Sequence, residues 1–303
     1  MKLDNITKQI LSQVSGLHDI PNGAVSIRKN GKSALIRSTA NIEIEKKPDL
    51  SGINIYIRST CQGEACHIPV VISENGLFDM AYNDFYIEDG ADVVIVAGCG
   101  VHSGDEAGHD GVHTFHVGKN AKVKYIENHI GLGKGSNKVM NPITKIELDA
   151  GSVMEMSTTQ IGGVDYSCRT TTAKLKGDAT LNVNEKILTD RFNVAKTDFK
   201  VTLMDDSKCQ IISRSVARGE SEQVFKSNVI GKGSVFGHVE CDAILLDNAR
   251  VISAPKVSAL NNQASLTHEA AIGKIAQEQI IKLMTMGLDE KQAEERIILG
   301  FLK

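Results

Sequence analysis

The sequence contains no tryptophan, and aromatic residues make up only 4% of its 303 positions. Few rings are therefore available to stack on nucleic-acid bases. The 34 Lys and Arg residues stand against 37 Asp and Glu residues, and the basic residues form no stripe that a phosphate backbone could follow. This composition argues against a nucleic-acid partner.

Long hydrophobic runs are also missing. No segment approaches the ~18 to 20 consecutive apolar residues that a membrane span requires. Residues 1–16 alternate polar and apolar types where a signal peptide would have an apolar core. We therefore expect no membrane span and a cytoplasmic location. In that compartment the six cysteines are reduced thiols, metal ligands or packing residues, and not disulfides.

Helical periodicity is absent from the whole middle of the chain. A turn residue and a small residue instead precede a β-type run again and again. These phrases end at Val93, Val123, Val153, Leu181, Cys209, Val235, Val251 and Leu266. The intervals between these positions are 30, 30, 28, 28, 26, 16 and 15 residues. A period near thirty that halves at the end indicates coils that hold two strands each.

Two all-β folds fit this repeat: a sandwich of hairpins, or a solenoid in which each strand pairs with the equivalent strand of the next coil. Two-residue hairpin turns are scarce, and the best candidates, Asn30-Gly31 and Asn75-Gly76, both precede the repeat. The pattern favours the solenoid. Its terminal coils need a cover, because an open coil presents unpaired strand edges.

Both ends of the sequence contain helical patterns that could supply this cover. One amphipathic helix is marked by Leu3, Ile6, Ile10 and Val14 before Gly16, a second by Ala271, Ile275, Gln279 and Leu283 before Gly287, and a third by Ala293, Ile297 and Phe301. Asp289 with Gln292 is an N-cap signature for the third helix. We predict an N-terminal helix in 1–20, a β core in 21–266 and a helical segment in 267–303. The helices either cover the ends of the solenoid or form a docking surface.

A thiol, an imidazole and a carboxylate lie close together in the C-terminal part of the sequence, at Cys241, His268 and Glu269. Their types and spacing resemble the C-terminal core of SufB and SufD, the paired proteins on which iron-sulfur clusters are built in the Suf pathway. The resemblance continues through Gly287-Leu-Asp289 and the Gly300-Phe301 pair. The presence of both Cys241 and His268 makes the chain similar to a short SufB.

This resemblance implies a right-handed parallel β-helix that works as a homodimer or as a SufB/SufD-type heterodimer. It also implies C-terminal helices that bind a SufC-like ABC ATPase. The chain has no phosphate loop of its own, since Gly131, Gly133 and Gly135 do not have the required spacing. ATP hydrolysis is therefore expected on the partner. The chain is expected to be a non-catalytic scaffold that holds an iron-sulfur cluster transiently and works with a sulfur donor and acceptor apo-proteins.

In that family the equivalents of Cys241, His268 and Glu269 bind the nascent cluster at the subunit interface. A cysteine thiolate accepts sulfur and binds iron, while imidazole nitrogen and carboxylate oxygen hold iron before sulfide arrives. Thr267 replaces a glutamate of the family motif and removes one carboxylate. The structural alternatives are a buried strand position for Cys241 and a packing or capping role for His268 at a strand-to-helix junction.

A second set of metal donors lies in the first half of the chain. It comprises Cys61, Cys66 and Cys99 with His102, His109 or His113. Such a set could hold zinc or iron tetrahedrally. If Val112–Val117 is a strand, His113 and His116 lie on opposite faces and cannot share a site. The alternatives are buried thiols and polar histidines in turns, or a zinc- or iron-dependent enzyme in which the metal activates water.

Overall fold

The computed structural model of the protein describes residues 4–133 and 137–303, and its core is a parallel β-helix built from two sheets. Sheet A contains, in spatial order, β2 (Lys32–Arg37), β1 (Ala24–Lys29), β5 (Gln62–Ile72), β7 (Asp92–His102), β9 (Lys122–Leu132), β12 (Val153–Ile161), β14 (Thr180–Thr189), β16 (Lys208–Ala217), β18 (Phe236–Leu245) and β20 (Ser265–Gly273). Sheet B contains β19 (Arg250–Ala259), β17 (Glu222–Gly231), β15 (Val194–Leu203), β13 (Tyr166–Leu175), β10 (Lys138–Met140), β8 (Ala107–Val117), β6 (Phe78–Ile87), β4 (Gly52–Ile57) and β3 (Ile42–Lys46). A further strand, β11 (Ile143–Leu148), pairs with β8 and β13 beside β10. The predicted solenoid is confirmed.

The repeated phrase of the sequence forms the turns between the two sheets. Gly90, Asn120 and Gly151 each adopt a positive φ, of 74°, 56° and 73°. Glycine and asparagine tolerate this left-handed conformation better than other residues do. Among the strands that the structure describes, antiparallel pairing is confined to the start of the solenoid, where the Asn30-Gly31 turn joins β1 to β2 and where β3 pairs with β4. The turn residues therefore set the coil length and the hairpins end the stack.

Alternate residues of each strand point into the solenoid, as the buried and half-buried alternation along β14 and β15 shows. Identical side chains stack between coils, and the rings of Phe85 and Phe115 lie 4.3 Å apart and nearly parallel. No helix in the part of the chain that the structure describes is long and apolar enough to cross a membrane.

The N-terminal helix α1 (Asn5–Ser15) ends at Gly16, as predicted, while Leu3 lies outside the described residues. It packs on the outer face of sheet A and covers no end of the solenoid, so that part of the prediction was wrong. Gly98 and Gly100 make this packing close. A Cβ atom at Gly98 would lie 2.9 Å from the carbonyl oxygen of Val14, and one at Gly100 would lie 2.3 Å from Ile10 Cγ2.

The C-terminal helices are α2 (Gln277–Thr285) and α3 (Glu290–Phe301), and the predicted capping box of Asp289 and Gln292 is present. Ala271 was wrongly placed in a helix, because β20 continues its pairing with β18 as far as Gly273. Strand structure thus extends seven residues beyond the boundary expected at 266. Of the glycine-rich segment with Gly131, Gly133 and Gly135, Gly131 lies in β9 and residues 134–136 lie outside the described residues.

The helical segment packs against the side of the solenoid and leaves its last coil open. Its apolar contacts are with Val216, Leu188 and Ile244, which lie in register on β16, β14 and β18. Strands β19 and β20 form the free edges at this end, and neither contains a fully buried residue. The expectation that these helices cover the end of the solenoid was therefore wrong.

Gly98→Ala should loosen α1 from sheet A, because the new methyl group would meet backbone atoms that cannot move independently. We expect the free energy of unfolding to fall by about 1–3 kcal/mol, the usual cost of overpacking, measured by urea denaturation. Gly300→Ala is the matched control, since its methyl group would meet nothing within 4 Å and would lie in a helix. Equal urea midpoints for wild type and Gly98→Ala would contradict this account.

Candidate functional site

Cys241 lies at the end of a polar column inside the solenoid. In-register pairing of β9, β12, β14, β16 and β18 aligns Glu127, Thr158, Glu185, Ser213 and Cys241 on the inner face of sheet A. All five are buried, Cys241 with 2% of its surface exposed. Two of its five members carry a carboxyl group and one a thiol, so this column is a chemically distinctive part of the interior.

Arg169 on β13 crosses from sheet B to this column. Its guanidinium hydrogen-bonds Glu127 and lies 3.9 Å from Glu185. Glu185 also accepts hydrogen bonds from Ser213 Oγ at 2.8 Å and Thr197 Oγ1 at 3.0 Å. Buried charges are tolerated only when they are paired and hydrogen-bonded in this way. Glu127, Arg169, Glu185, Thr197 and Ser213 thus form one connected network, and its last member, Ser213, is the residue that pairs with Cys241.

The two carboxyl groups of this network differ in their tendency to ionise. Burial opposes ionisation of Glu127, but Arg169 and His129 outweigh it and hold the pKa of this carboxyl well below its usual range. At Glu185, burial outweighs Arg169 and the two hydroxyl donors, so the pKa is raised. Glu127 is therefore the ionised carboxylate that pairs with the Arg169 guanidinium. Glu185 accepts a proton more easily than Glu127 does.

The Cys241 thiol is not activated in this chain by itself. Burial raises its pKa to about 11. A thiol of this pKa is protonated at neutral pH, whereas sulfur acceptance and iron binding both require the thiolate. A bound metal ion or a change in exposure would have to lower the pKa before the thiolate could act.

His268 and Glu269 do not lie at a strand-to-helix junction, because both belong to strand β20. His268 pairs with Val239, an inward residue of β18, and Glu269 pairs with Glu240, an outward one. Since successive side chains of a strand point to opposite faces, His268 shares the inner face with Cys241. Glu269 lies on the other side of the sheet. The structure thus brings together two of the three predicted residues and separates the third.

Three polar residues that flank Cys241 were not assigned to the site from the sequence: His238, Glu240 and Asp242. They alternate along β18 and point outwards beside Glu269. Thr267 Oγ1 lies 2.8 Å from His238 Nδ1, and His238 Nε2 lies 3.9 Å from Glu240 Oε2. Burial and Asp242 raise the pKa of Glu240. The period-two spacing around Cys241 was the signal that could have identified this outer carboxylate group.

The second candidate set is gathered only in part: Cys99, His109 and His113 line one small interior pocket, and Cys61, Cys66 and His102 do not line it. Cys61 and Cys66 lie in the main hydrophobic core, whereas Cys99 belongs to a separate apolar cluster and His102 ends β7. All six cysteines are free. Across residues 4–133 and 137–303, no three His, Cys, Asp or Glu side chains are arranged to hold a metal ion. The spacing of these donors in the sequence therefore does not correspond to a ligand set in the fold.

Two histidines of that set are already engaged by neighbours inside the solenoid. His109 Nδ1 lies 3.0 Å from Asp79 Oδ2, and His113 Nδ1 lies 2.7 Å from the Tyr125 hydroxyl. His113 is buried while the outward His116 is half-buried, so their predicted placement on opposite faces is confirmed. These contacts give His109 and His113 structural roles in the buried network.

Acidification should weaken the fold through His113, because burial lowers the pKa of this imidazole from 6.5 to about 4. The neutral ring stabilises the folded state fully above pH 6.5, and this contribution is lost as the pH falls towards 4, since the unfolded chain is protonated first. The loss is about 3 kcal/mol. His113→Gln should flatten the dependence of the unfolding free energy on pH between 4 and 6.5.

Buried His129 and half-buried His67 shift in the same direction, so the slope should decrease without vanishing. His18→Gln at an exposed position is the control and should keep the full slope. An unchanged slope in His113→Gln would show that this ring contributes nothing to acid sensitivity.

Comparison with known proteins identifies the family. Residues 71–301 match the family model described as SUF system FeS cluster assembly, SufBD core domain. An iron-sulfur cluster assembly SufBD family protein of Archaeoglobus fulgidus is 30% identical over 270 residues, which span 86% of this chain and 71% of that protein. A relative from Methanocaldococcus jannaschii is 29% identical over 78% of this chain and 75% of its own length.

A chloroplastic SufBD family protein of Arabidopsis thaliana is 28% identical over 71% of this chain, which corresponds to 41% of the plant protein. The residues matched by the family model include the strands that carry Cys241 and its polar column. Because the family model spans well over half of the residues, the chain belongs to the SufBD family of iron-sulfur cluster assembly proteins.

Proposed function

We propose that this chain is the scaffold component of an ATP-driven assembly complex in which a separate SufC-like ABC ATPase supplies the energy. The iron-sulfur cluster is its transient cargo. A sulfur donor supplies the sulfur, and the finished cluster passes to acceptor apo-proteins. The observation that carries this proposal is the open last coil, where His268 is exposed and Cys241 lies on the same inner face of the neighbouring strand, paired with Ala270.

The open coil favours a dimer. Strands β19 and β20 present unpaired backbone donors and acceptors at one end of both sheets, and such edges readily pair with another chain. A second copy, or a related SufD-type chain, would extend both sheets and enclose the space above Cys241. Homodimer and heterodimer both fit this edge, and either would place the assembly residues at a subunit interface.

The donor types on the two faces of β18 and β20 suit different parts of the cargo. The soft sulfur of Cys241 lies on the inner face with the His268 imidazole, and the hard oxygens of Glu240 and Glu269 lie on the outer face. Thiolate prefers iron-sulfur species, whereas carboxylate oxygen suits iron that has not yet met sulfide. In this proposal Cys241 accepts sulfur and binds the cluster, and Glu269 holds iron at the rim of the interface.

The helical segment is suited to docking. It packs on the solenoid by one face and exposes large apolar side chains elsewhere: Ile281, Met284, Met286 and Leu299. Exposed apolar groups concentrated on one short segment mark interaction sites. We assign this surface to the ATPase. The chain then needs no catalytic machinery of its own, and the cytoplasmic location expected from its lack of long apolar runs remains a prediction.

The alternative of a zinc- or iron-dependent enzyme centred on Cys61 to His113 is not proposed. Its ligands are divided between two apolar clusters, and its histidines bond to Asp79 and Tyr125.

Anaerobic reconstitution with ferrous iron and sulfide tests the assembly site directly. We expect Cys241→Ala to lose most of the visible absorbance and acid-labile sulfide that wild type acquires, because the only soft ligand at the open coil is removed. The matched variant replaces Cys61, Cys66 and Cys99 together by alanine and should retain both signals. Loss of the cluster only in the triple variant would reject Cys241 as the assembly residue.

Ile281→Asp combined with Met286→Asp should abolish co-purification with the ABC ATPase, since two charges would replace apolar contacts. Gln279→Asp introduces the same charge on α2 at a polar position and should leave binding unchanged. Retained binding in the double variant, with the melting temperature unaltered, would show that the ATPase docks elsewhere.

A further inference from the structure

A cavity of about 360 Å³ lies on the outer face of sheet B, far along the chain from Cys241. One wall is a stack of three rings from successive coils: Tyr56, Tyr86 and His116. Neighbouring ring centroids are 5.1 Å apart, with planes inclined by 14° and 10°. Tyr86 and His116 remain substantially exposed although they stack, so the wall is open to solvent along its edge.

The floor of the cavity exists because residue 118 is glycine. Glu88, Gly118 and Asp149 follow three neighbouring strands at equivalent positions, each donating its backbone N–H to the coil before it. A Cβ atom at Gly118 would lie 2.5 Å from Asp89 Oδ1 and 2.7 Å from the Asp89 nitrogen. No side chain therefore fills this position. Glu88 and Asp149 lie on either side of it, and their backbones are separated by about twice the strand spacing, roughly 10 Å.

The charge of the lining selects the kind of ligand. The carboxylates of Glu88, Glu147 and Asp149 face one ammonium, Lys176, which leaves a net charge of −2 with His116 neutral. Lys176 pairs with Asp149 at 2.9 Å, and Glu147 has only looser contacts, 3.6 Å to His116 and 3.9 Å to Lys174.

Glu88 is the least compensated member of this set. It accepts a hydrogen bond from the Ser59 backbone N–H at 2.7 Å. Among the residues that the structure describes, it forms no ion pair. A positive group placed over Gly118 would therefore reach Glu88 on one side and Glu147 on the other.

We propose that this cavity, here called the outer-face cavity, binds an organic cation: an ammonium or guanidinium group on a hydrocarbon stem. The cation pairs with Glu88 and Glu147 over Gly118, and the stem packs along the ring edges of Tyr56 and Tyr86. A cavity of this volume accommodates a small ligand or one long side chain. This cation site is independent of the cluster assembly proposed at Cys241, which lies far along the chain from the cavity.

Such a cation has two sources, a free polyamine or a basic side chain of a bound polypeptide. Isothermal titration calorimetry of the full chain with spermidine and with acetyl-Gly-Arg-Gly-amide separates them. We expect at least one probe to bind with an affinity that falls as salt is raised. Glu88→Gln and Glu147→Gln should each weaken that binding about tenfold, the effect of losing one charge-assisted hydrogen bond.

Glu155→Gln is the matched control, because Glu155 is an exposed carboxylate on the outer face of sheet A and lies outside this cavity. It should leave both affinities unchanged, and all three variants should keep the wild-type melting temperature. Binding of spermidine alone identifies a small-molecule site, and binding of the peptide alone identifies a site for a polypeptide side chain. Absence of binding by both probes, or equal weakening in Glu155→Gln, overturns the proposal.

Discussion

In-register parallel pairing between successive coils is the constraint on which the rest of this structure depends. From β12 to β20 in sheet A, every strand pairs with the next without a shift. Since side chains alternate between faces, this pairing assigns each residue to the inside or the outside and places equivalent residues in columns. The buried phenylalanines, the polar column below Cys241 and the ring stack of the outer-face cavity are all such columns.

The polar column is a costly use of the interior. Taking a carboxylate and a guanidinium out of water costs several kcal/mol per ion before their attraction is counted. Glu127 and Glu185 avoid an unpaired charge because Arg169 reaches them from sheet B, and Glu185 also accepts hydrogen bonds from a hydroxyl group of each sheet. Replacing a buried ion pair by apolar residues of similar volume is often neutral or stabilising, so this network is weak evidence for stability.

The ends of two helices could be predicted from the residues next to them. Gly16 ends α1 and Asp289 with Gln292 begins α3, because a cap depends on residues within about four positions. The site was predicted only in part. Cys241 and His268 were expected together and share a face, but Glu269 points away, because the strand continues to Gly273 through its pairing with β18. That pairing is not visible in the local pattern around residue 271.

The sequence by itself determined the solenoid, because the spacing of turn residues sets the length of a coil and the alternation within each run sets which side chains face inwards. Only the tertiary structure decided which inward residues meet. Arg169 reaches Glu127 across 42 positions from the other sheet, and the C-terminal helices lie against the side of the solenoid and leave the last coil open. The Arg169–Glu127 contact depends on how the two sheets face each other, and the position of the helices depends on which apolar surface remains uncovered. A repeat that specifies one coil at a time encodes neither of these two features.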